Sequence, residues 1–271
     1  MHGLGNDYVY VNCFDERVTD APAVARAISD RHRGVGSDGL ILICPSDNAD
    51  LRMEMYNADG SRAQMCGNGI RCVAKYAYEH GLCRSNPMRI ETDGGTREAE
   101  VKLDGDLVAA VRVDMGRPLL DPASLPCRLD GDRIVERDLQ TAGRCYQITC
   151  VSMGNPHVIV FVDDLAGVAL ANDGPAIENH EAFPERTNAH FVKILSPNEA
   201  RMISWERGSG ATQACGTGAC AVGVAGVLTD RLQRRSTIHL PGGALEIEWA
   251  DDDHVHMTGP AIEVFTGDWN M

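Results

Sequence analysis

The sequence predicts an α+β fold of two pseudo-symmetric halves, each a curled, mostly antiparallel sheet around a central helix. A Cys-Gly-polar-Gly step occurs at Cys66 and again 149 positions later at Cys215. Each step opens a segment with helical character, and many short strand candidates surround both segments. Helices and strands do not alternate one to one, which argues against a parallel doubly wound sheet.

The first half begins with a strand over residues 8–14 and a helix over residues 20–32, with Asp20 as its N-cap. A second helix follows Cys66 and ends near His80, with Gly81 as its C′ residue. Charged side chains recur every four residues on this helix and predict a stripe that faces solvent: Arg71, Lys75 and Glu79. Further strands are predicted over residues 39–44, 51–56, 88–92, 97–103 and 107–115.

The second half repeats this plan. Its helix follows Cys215, ends near Thr229 and has no polar face, so it is predicted to be buried. The Gly-Arg-Pro step at residues 116–118 predicts the boundary between residues 1–117 and residues 118–262. Strands are predicted over residues 145–151, 157–162, 189–195, 201–206, 237–240, 244–249, 254–258 and 262–265.

Charge and composition exclude several classes of function. The formal net charge of −14 disfavours nucleic acid and anionic membrane surfaces. The longest uncharged apolar run covers about residues 218–228, too short for a membrane span of about 20 residues. No secretion signal is visible at the N-terminus, and the ten cysteines contain no Cys-x-x-Cys pair. We therefore expect a cytoplasmic protein with free thiols, and neither a metal site nor a cofactor motif is predicted.

The two repeated cysteines are candidates for acid–base chemistry. The first N–H groups of a helix have no internal partner, and a thiol there can fall from a pKa of about 8.5 to roughly 3.5–7.5. One thiolate and one thiol on opposite sides of a molecule can invert a tetrahedral carbon. A buried cysteine is more often a plain core residue, and that is the interpretation for the other eight cysteines.

Polar residues near the two motifs are candidates for binding a zwitterion. Four asparagines lie in turns, where turn chemistry alone also explains them: Asn6, Asn57, Asn155 and Asn188. Glu206 and Arg207 end a strand before the second cysteine and can bind an ammonium and a carboxylate, or pair with each other. His157 is either a proton relay or a hydrogen-bonded loop residue.

Eight segments together resemble the diaminopimelate epimerase family over essentially the whole chain. They are His2-Gly-Leu-Gly-Asn-Asp7, Asn57-Ala-Asp-Gly-Ser61, Met65-Cys-Gly-Asn-Gly-Ile-Arg-Cys72, Gly154-Asn-Pro-His157, Trp205-Glu-Arg-Gly208, Ala214-Cys-Gly-Thr-Gly-Ala-Cys220, Pro241-Gly-Gly243 and Met257-Thr-Gly-Pro260. The resemblance implies cofactor-independent interconversion of LL- and meso-2,6-diaminopimelate, in lysine and peptidoglycan synthesis. It also implies Cys66 and Cys215 as the two acid–base residues.

The resemblance assigns roles to further residues. It implies that His157 and Glu206 tune the pKa of the cysteines. Substrate contacts are implied for Asn6, Asn57, Gly67, Asn68, Asn155, Asn188, Glu206, Arg207, Gly216 and Thr217. The implied fold has a site between its two halves, with residues 263–271 returning to the first half. A homodimer that closes on its substrate is implied as well.

Two alternatives remain open at this stage. A racemase of another amino acid, such as histidine, would use the same pair of thiols on the same scaffold. A thiol redox or metal-binding protein would account for the ten cysteines but lacks the ligand spacing. If both thiols close on one carbon, they could also approach disulfide range without substrate, so that oxidation inactivates the enzyme reversibly.

Overall fold

The computed structural model describes residues 1–141 and 143–270 and has an α+β fold. The chain divides into two compact units. The first unit is Met1–Asp114 with Thr258–Met271, and the second is Met115–Met257. Of the helices within the described residues, none has both the length and the apolar character needed to cross a membrane.

The first unit holds two helices, α1 (Ala21–Ser29) and α2 (Gly67–Glu79). Its strands are β1 (His2–Gly3), β2 (Asn6–Asp7), β3 (Val9–Asn12), β4 (Gly39–Cys44), β5 (Leu51–Asn57), β6 (Arg62–Ala63), β7 (Met88–Glu91), β8 (Arg97–Asp104) and β9 (Leu107–Asp114). Neighbouring strands follow the order β9-β8-β7-β5-β4-β3, with β6 on β5. The pairs β3/β4 and β5/β7 are parallel, and each is joined through a helix.

The second unit holds α3 (Leu170–Glu178) and α4 (Gly216–Leu228). Its strands are β10 (Arg137–Gln140), β11 (Cys145–Ser152), β12 (Pro156–Phe161), β13 (Asn188–Ser196), β14 (Glu199–Glu206), β15 (Gly210–Thr212), β16 (Arg235–Leu240), β17 (Gly243–Trp249) and β18 (Val255–Gly259). The order is β10-β11-β12-β13-β14-β16-β17-β18, with β15 on β14. The parallel pairs are β12/β13 and β14/β16, again each joined through a helix.

Both units follow one order of elements. From β3 to β9 and from β12 to β18 the chain runs strand, helix, two strands, short strand, helix and three strands. Helices α1 and α3 both have 9 residues, and α2 and α4 both have 13 residues. Each second-unit helix begins 149 positions after its counterpart. The repeated cysteine motif is therefore part of a repeat of the whole unit.

Helix α1 begins where the sequence predicts and ends earlier. The Asp20 carboxylate accepts a hydrogen bond from Ala23 N at 3.1 Å, which confirms the predicted N-cap. The helix ends at Ser29 because Asp30 has extended backbone angles. The Asp30 carboxylate then accepts from the N–H groups of His32 and Arg33 at 2.8 and 3.0 Å, in place of helical carbonyls.

Helix α2 corrects one prediction. Arg71 is fully buried instead of facing solvent, because its guanidinium finds carbonyl acceptors at Gly67 O (2.9 Å) and Pro260 O (3.2 Å). Lys75 and Glu79 form an ion pair of 2.7 Å that is only slightly exposed. The helix ends at Glu79, and Gly81 has a φ of 75°, as expected for its C′ position.

Helix α4 is the buried centre of its unit, as predicted. Ten of its 13 residues are buried, and it packs against β11, β12, β13, β16 and β17. A Cβ on Gly223 would lie 2.7 Å from Ile247 Cγ2, closer than carbon atoms pack. The small residues of this helix therefore let the strands approach closely.

Some elements differ from the sequence predictions. Helix α3 is absent from the sequence predictions. Gly174 and Pro175 disfavour a helix there, but the helix forms and packs against β13 and β14. Strand β10 was also missed. The strand expected over residues 262–265 is wrong, because only a single bridge joins Ile262 to His2.

Candidate active site

Cys66 is the N-cap residue of α2, where the sequence places a helix start. Its backbone is extended, with φ −134° and ψ 120°, and Gly69 N donates to its sulfur at 3.4 Å. The side chain is partly exposed. An N–H donor at the end of the helix dipole thus faces a thiol that solvent can reach, an arrangement that stabilises a thiolate.

Two predicted asparagines lie beside Cys66. Asn6 Oδ1 is 3.4 Å from Cys66 Sγ and 3.4 Å from Asn68 Nδ2. Asn6 Nδ2 donates to Asp38 Oδ2 at 2.8 Å, which fixes the orientation of the Asn6 amide. Asn57 Nδ2 instead donates to Ser61 Oγ at 3.0 Å, within its own turn. The structure therefore brings Asn6 and Asn68 to Cys66, and Asn57 keeps the turn contact that was its alternative interpretation.

Arg71 positions Asn68 and was missed as a site residue. A guanidinium nitrogen of Arg71 donates to Asn68 Oδ1 at 2.9 Å, so the Asn68 amide nitrogen is left to face Asn6. The spacing of three residues on one helix could have indicated this contact. A buried arginine was not expected, since charged residues on a helix usually face solvent.

Cys215 is the N-cap residue of α4 and is buried, with 3% relative exposure. Burial raises the pKa of its thiol well above the ordinary value, and the Glu206 carboxylate raises it further. The expectation of a lowered pKa is therefore wrong for Cys215, because loss of solvation outweighs the helix N-terminus. Thr217 Oγ1 lies 3.9 Å from the sulfur. In this state Cys215 is a protonated thiol.

The segment before Cys215 is held by predicted residues. Thr212 Oγ1 donates to Glu206 Oε1 at 2.5 Å. Asn188 Oδ1 accepts from Arg207 N at 2.9 Å, and Asn188 Nδ2 donates to Pro156 O at 2.8 Å. Both ends of the Asn188 amide are thus engaged with backbone, so this residue anchors the segment that carries Glu206 and Arg207.

Two buried imidazoles form a hydrogen-bonded chain. His157 Nδ1 and His190 Nε2 are 2.9 Å apart, His157 Nε2 is 3.0 Å from Asn155 Oδ1, and His190 Nδ1 is 2.9 Å from Ser204 Oγ. Burial lowers the pKa of His157 well below the ordinary range and lowers that of His190 to about 3. Both rings are therefore neutral, and each of their four nitrogens has a polar partner.

His190 and Ser204 were missed by sequence reasoning. His190 follows Asn188 by two residues on β13, so the two side chains leave the same face of the strand. That spacing was the available signal. The ligand-capable atoms of His157, His190 and Cys215 all lie within 4.8 Å of one another. No ligand spacing in the sequence indicates this cluster, because its members come from β12, β13 and the start of α4.

The glycines of the two motifs leave the first turns of α2 and α4 without bulky side chains beside the sulfurs. Gly67 and Gly216 are the first residues of α2 and α4, and both are buried. A Cβ on Gly69 would lie 2.6 Å from Ile41 Cδ1, and a Cβ on Gly218 would lie 2.9 Å from Cys215 Sγ. A side chain at these positions would fill space beside the sulfur, so the motif requires glycine there.

The family model that matches this chain and several related sequences carry the same family name. The family model described as diaminopimelate epimerase matches residues 1–120 and 149–264. A diaminopimelate epimerase of Agathobacter rectalis is 52% identical, over 99% of this chain and 97% of the relative. Proteins of the same name from Pelotomaculum thermopropionicum and Moorella thermoacetica are 51% and 50% identical, over 99% and 100% of this chain and 96% and 98% of the relatives.

Solved structures share the fold at low sequence identity. A probable proline racemase from Agrobacterium radiobacter matches with a TM-score of 0.66 and 15% identity, over 95% of this chain and 88% of that one. A putative phenazine biosynthesis protein from Clostridium difficile matches with a TM-score of 0.68 and 10% identity, over 98% of this chain and 94% of that one. These likenesses show the fold alone.

Proposed function

The chain belongs to the diaminopimelate epimerase family and is an isomerase, and on that premise we propose how it works. It interconverts LL- and meso-2,6-diaminopimelate without a cofactor, using Cys66 and Cys215 as base and acid. The observation that carries this proposal is the repeat. Two cysteines, 149 positions apart, each cap the first turn of a 13-residue helix in units of the same element order.

We assign the role of base to Cys66. Its sulfur accepts from Gly69 N and, as a thiol, donates to the Asn6 amide oxygen, both at 3.4 Å, so Cys66 acts as base only after it loses that proton. The N–H donor and the helix dipole both favour negative charge on the sulfur. Cys66 Sγ removes the proton from the α-carbon, and the electron pair of that C–H bond passes into the carboxylate end of the substrate.

Cys215 takes the role of acid. Its buried thiol keeps its proton, since burial and the Glu206 carboxylate both raise its pKa. The Cys215 S–H bond breaks as a new C–H bond forms on the opposite face of the α-carbon. The substrate thus loses one proton and gains one, and the two sulfurs exchange protonation states. The reverse reaction uses the same two groups in exchanged roles.

The negative charge that develops at the substrate carboxylate needs hydrogen-bond donors. The first N–H groups of a helix have no carbonyl partner within that helix, and the first turns of α2 and α4 include Gly67, Asn68, Gly216 and Thr217. We assign the reacting carboxylate to these groups. On the family resemblance, we assign further substrate contacts to Asn6, Asn57, Asn155, Asn188, Glu206 and Arg207.

The two histidines affect the Cys215 thiol because both imidazoles are uncharged. An imidazole that stays uncharged beside Cys215 adds no positive charge, so the thiol keeps its proton until the carbanion forms. Glu206 acts in the same direction by its negative charge. We therefore assign the tuning of the Cys215 thiol to Glu206, through its charge, and to His157, through its neutrality.

The decisive experiment is an epimerisation assay on LL-diaminopimelate in deuterated water, with purified protein and no added cofactor. We expect early product to carry deuterium at the inverted carbon while recovered substrate carries none, since the donating thiol delivers a deuteron from solvent and the accepting thiol returns to the substrate only the proton that it removed. Cys66→Ala and Cys215→Ala should each lower turnover by at least about 1000-fold. Cys145→Ser, at an exposed cysteine, is the control that keeps activity.

Two results would reject the proposal. Turnover retained in either active-site variant would show that the thiols do not act as a pair. Turnover of other L-amino acids in place of diaminopimelate would move the protein to a racemase of another amino acid on this scaffold.

We also propose a cytoplasmic homodimer. All ten cysteines are free thiols, which suits a reducing compartment. The dimer rests on the family resemblance. Sedimentation equilibrium of the full chain tests it, since a single species at the mass of one chain would contradict a dimer.

A further inference from the structure

The pair of buried histidines has a second chemical capacity that epimerisation does not use. Three potential ligands converge in the second unit, His157 from β12, His190 from β13 and Cys215 from the start of α4, with their ligand atoms within 4.8 Å of one another. All three residues have relative exposures of 3% or less. Two imidazoles and one thiolate are the ligand types that Zn²⁺ prefers in proteins.

We propose that His157, His190 and Cys215 form a binding site for Zn²⁺ or a similar borderline divalent metal ion, and that metal bound there inhibits the enzyme by occupying its thiol. The inhibitory consequence rests on the proposed function. The binding site itself stands on the geometry of the second unit alone.

The hydrogen-bond pattern around the two rings suits metal ligation. The inner nitrogens, His157 Nδ1 and His190 Nε2, face each other at 2.9 Å. The outer nitrogens already face oxygens that can accept a hydrogen bond, since His157 Nε2 is 3.0 Å from Asn155 Oδ1 and His190 Nδ1 is 2.9 Å from Ser204 Oγ. Histidines that bind metals almost always donate their other N–H group to such an oxygen, which fixes the ring orientation.

Gly218 places no side chain between two of the ligand atoms. A Cβ on that glycine would lie 2.7 Å from His190 Nε2 and 2.9 Å from Cys215 Sγ, so any side chain there would close the gap between these two atoms. Zinc bonds of about 2.0–2.1 Å to nitrogen and about 2.3 Å to sulfur require the three ligand atoms, now within 4.8 Å of one another, to close around the ion. Three protein ligands leave a fourth position open for water.

The exchange of protons on binding balances. The His190 proton moves from Nε2 to Nδ1 and is donated to Ser204 Oγ, whose hydroxyl rotates to accept it. The Cys215 thiol gives its proton to solvent and bonds to the metal as a thiolate. One proton is therefore released for each ion bound, and the thiol that the epimerase needs is no longer available.

Cobalt(II) titration of the reduced, metal-free full chain under anaerobic conditions tests the site directly. A thiolate bound to Co²⁺ gives a charge-transfer absorption in the near ultraviolet, and tetrahedral Co²⁺ absorbs in the visible. We expect one Co²⁺ per chain with one thiolate ligand, displaced by Zn²⁺. Cys66→Ser and Cys145→Ser should keep both bands, which excludes binding to the other repeated cysteine or to the exposed one.

Four variants should change the spectrum in defined ways. Cys215→Ser removes the thiolate band, and His190→Asn removes one ligand but keeps a polar side chain in the buried position. Gly218→Ala places a methyl group between His190 Nε2 and Cys215 Sγ, where the ion would lie. Ser204→Ala removes only the outer partner of His190 and should weaken affinity by roughly 10-fold or more. Near-ultraviolet circular dichroism of each variant shows whether it is folded.

The outcomes separate the two proposals. Loss of the thiolate band in folded Cys215→Ser, its retention in Cys66→Ser and reversible inhibition of epimerisation by Zn²⁺ support the site. A thiolate band that persists in Cys215→Ser, or no binding by the wild type, overturns the site and leaves the epimerase proposal intact. Specific binding to a protein without epimerase activity overturns only the proposed function and with it the inhibitory consequence.

Discussion

Cys215 shows how two local influences on one thiol oppose each other. Its position at the start of α4 favours a thiolate, whereas burial and the Glu206 carboxylate favour the thiol and prevail. Cys66 has the same place on α2 but is partly exposed and faces the N–H of Gly69. Two residues with the same motif thus have different environments, as the proposed roles of acid and base require.

Glu206→Gln should lower the pKa of Cys215, because the substitution removes a negative charge beside the sulfur. The measurement is the rate at which a small thiol reagent, methyl methanethiosulfonate, modifies Cys215 as a function of pH, followed by peptide mass spectrometry. Glu199→Gln makes the same change at the other end of β14, where the carboxylate contacts His239, and serves as control. An unchanged or higher midpoint in Glu206→Gln would contradict the assigned cause.

His190 should make the protein sensitive to acid. Its pKa is about 3 in the folded protein and about 6.5 in the unfolded chain, so acid protonates the unfolded chain first and stability falls as the pH drops below about 6.5. Between about pH 7 and pH 5 this single group should remove about 2 kcal/mol from the free energy of unfolding. His190→Asn should lose correspondingly less over that range.

Urea denaturation at several pH values with a chelator present measures this difference. Both proteins share all their carboxylates, so acid effects on those groups cancel in the comparison. If the free energies of unfolding of the wild type and His190→Asn changed in parallel with pH, the neutral imidazole of His190 would not contribute to the acid sensitivity.

At the scale of elements, packing decides what propensity does not. Helix α4 contains glycines that lower its intrinsic stability, yet it is the buried helix of the second unit. Helix α3 contains Gly174 and Pro175 and forms nonetheless, because its glycine lies against the Trp205 ring, where a Cβ would approach within 2.4 Å. Close approach of neighbouring elements, not helix propensity, selects glycine at these positions.

Gly223→Ala should destabilise the protein by about 1–3 kcal/mol, although alanine favours a helix by roughly 1 kcal/mol. The added methyl group would lie 2.7 Å from Ile247 Cγ2, and a β-branched side chain has little freedom to move away. Gly167→Ala is the matched control, since open space surrounds that position. Equal thermal unfolding midpoints for the two variants would show that α4 is less tightly packed than the distances indicate.

At the scale of the whole molecule, the chain end belongs to the unit in which the chain begins. His2 N donates to Ile262 O at 2.9 Å, and Ile262 N donates to His2 O at 3.0 Å. The Arg71 guanidinium joins Pro260 to the start of α2, a contact between residues 189 positions apart in sequence. His2, which precedes Cys66 in the sequence, and Arg71, which follows it, are thus both held by hydrogen bonds to the last segment of the chain.

Arg71→Met should lower the free energy of unfolding by about 3 kcal/mol, because it removes the guanidinium that donates to Gly67 O, Asn68 Oδ1 and Pro260 O. It should also lower epimerase turnover, since Asn68 loses the contact that sets its amide orientation. Arg84→Met is the control, as the Arg84 guanidinium is exposed and stacks on Tyr78, and it should cost less than about 1 kcal/mol. Similar unfolding midpoints for both variants would contradict this role of Arg71.

The sequence by itself determined the fold class, the repeat and the two helix starts at Cys66 and Cys215. Those features depend on local signals, namely apolar periodicity, glycine at helix ends and a recurring motif, which can be read without knowing what lies nearby. The same signals predicted a solvent-facing Arg71 and a strand over residues 262–265, and both were wrong because long-range partners determine them.

Only the tertiary structure decided the environment of each sulfur. The pairing of His157 with His190 joins two strands, and the raised pKa of Cys215 follows from burial and from a carboxylate on another strand. Solvation and charge act through space, so residues far apart in the chain set them. The sequence therefore nominated the two cysteines proposed to carry the chemistry, and folding determined the environment of each sulfur.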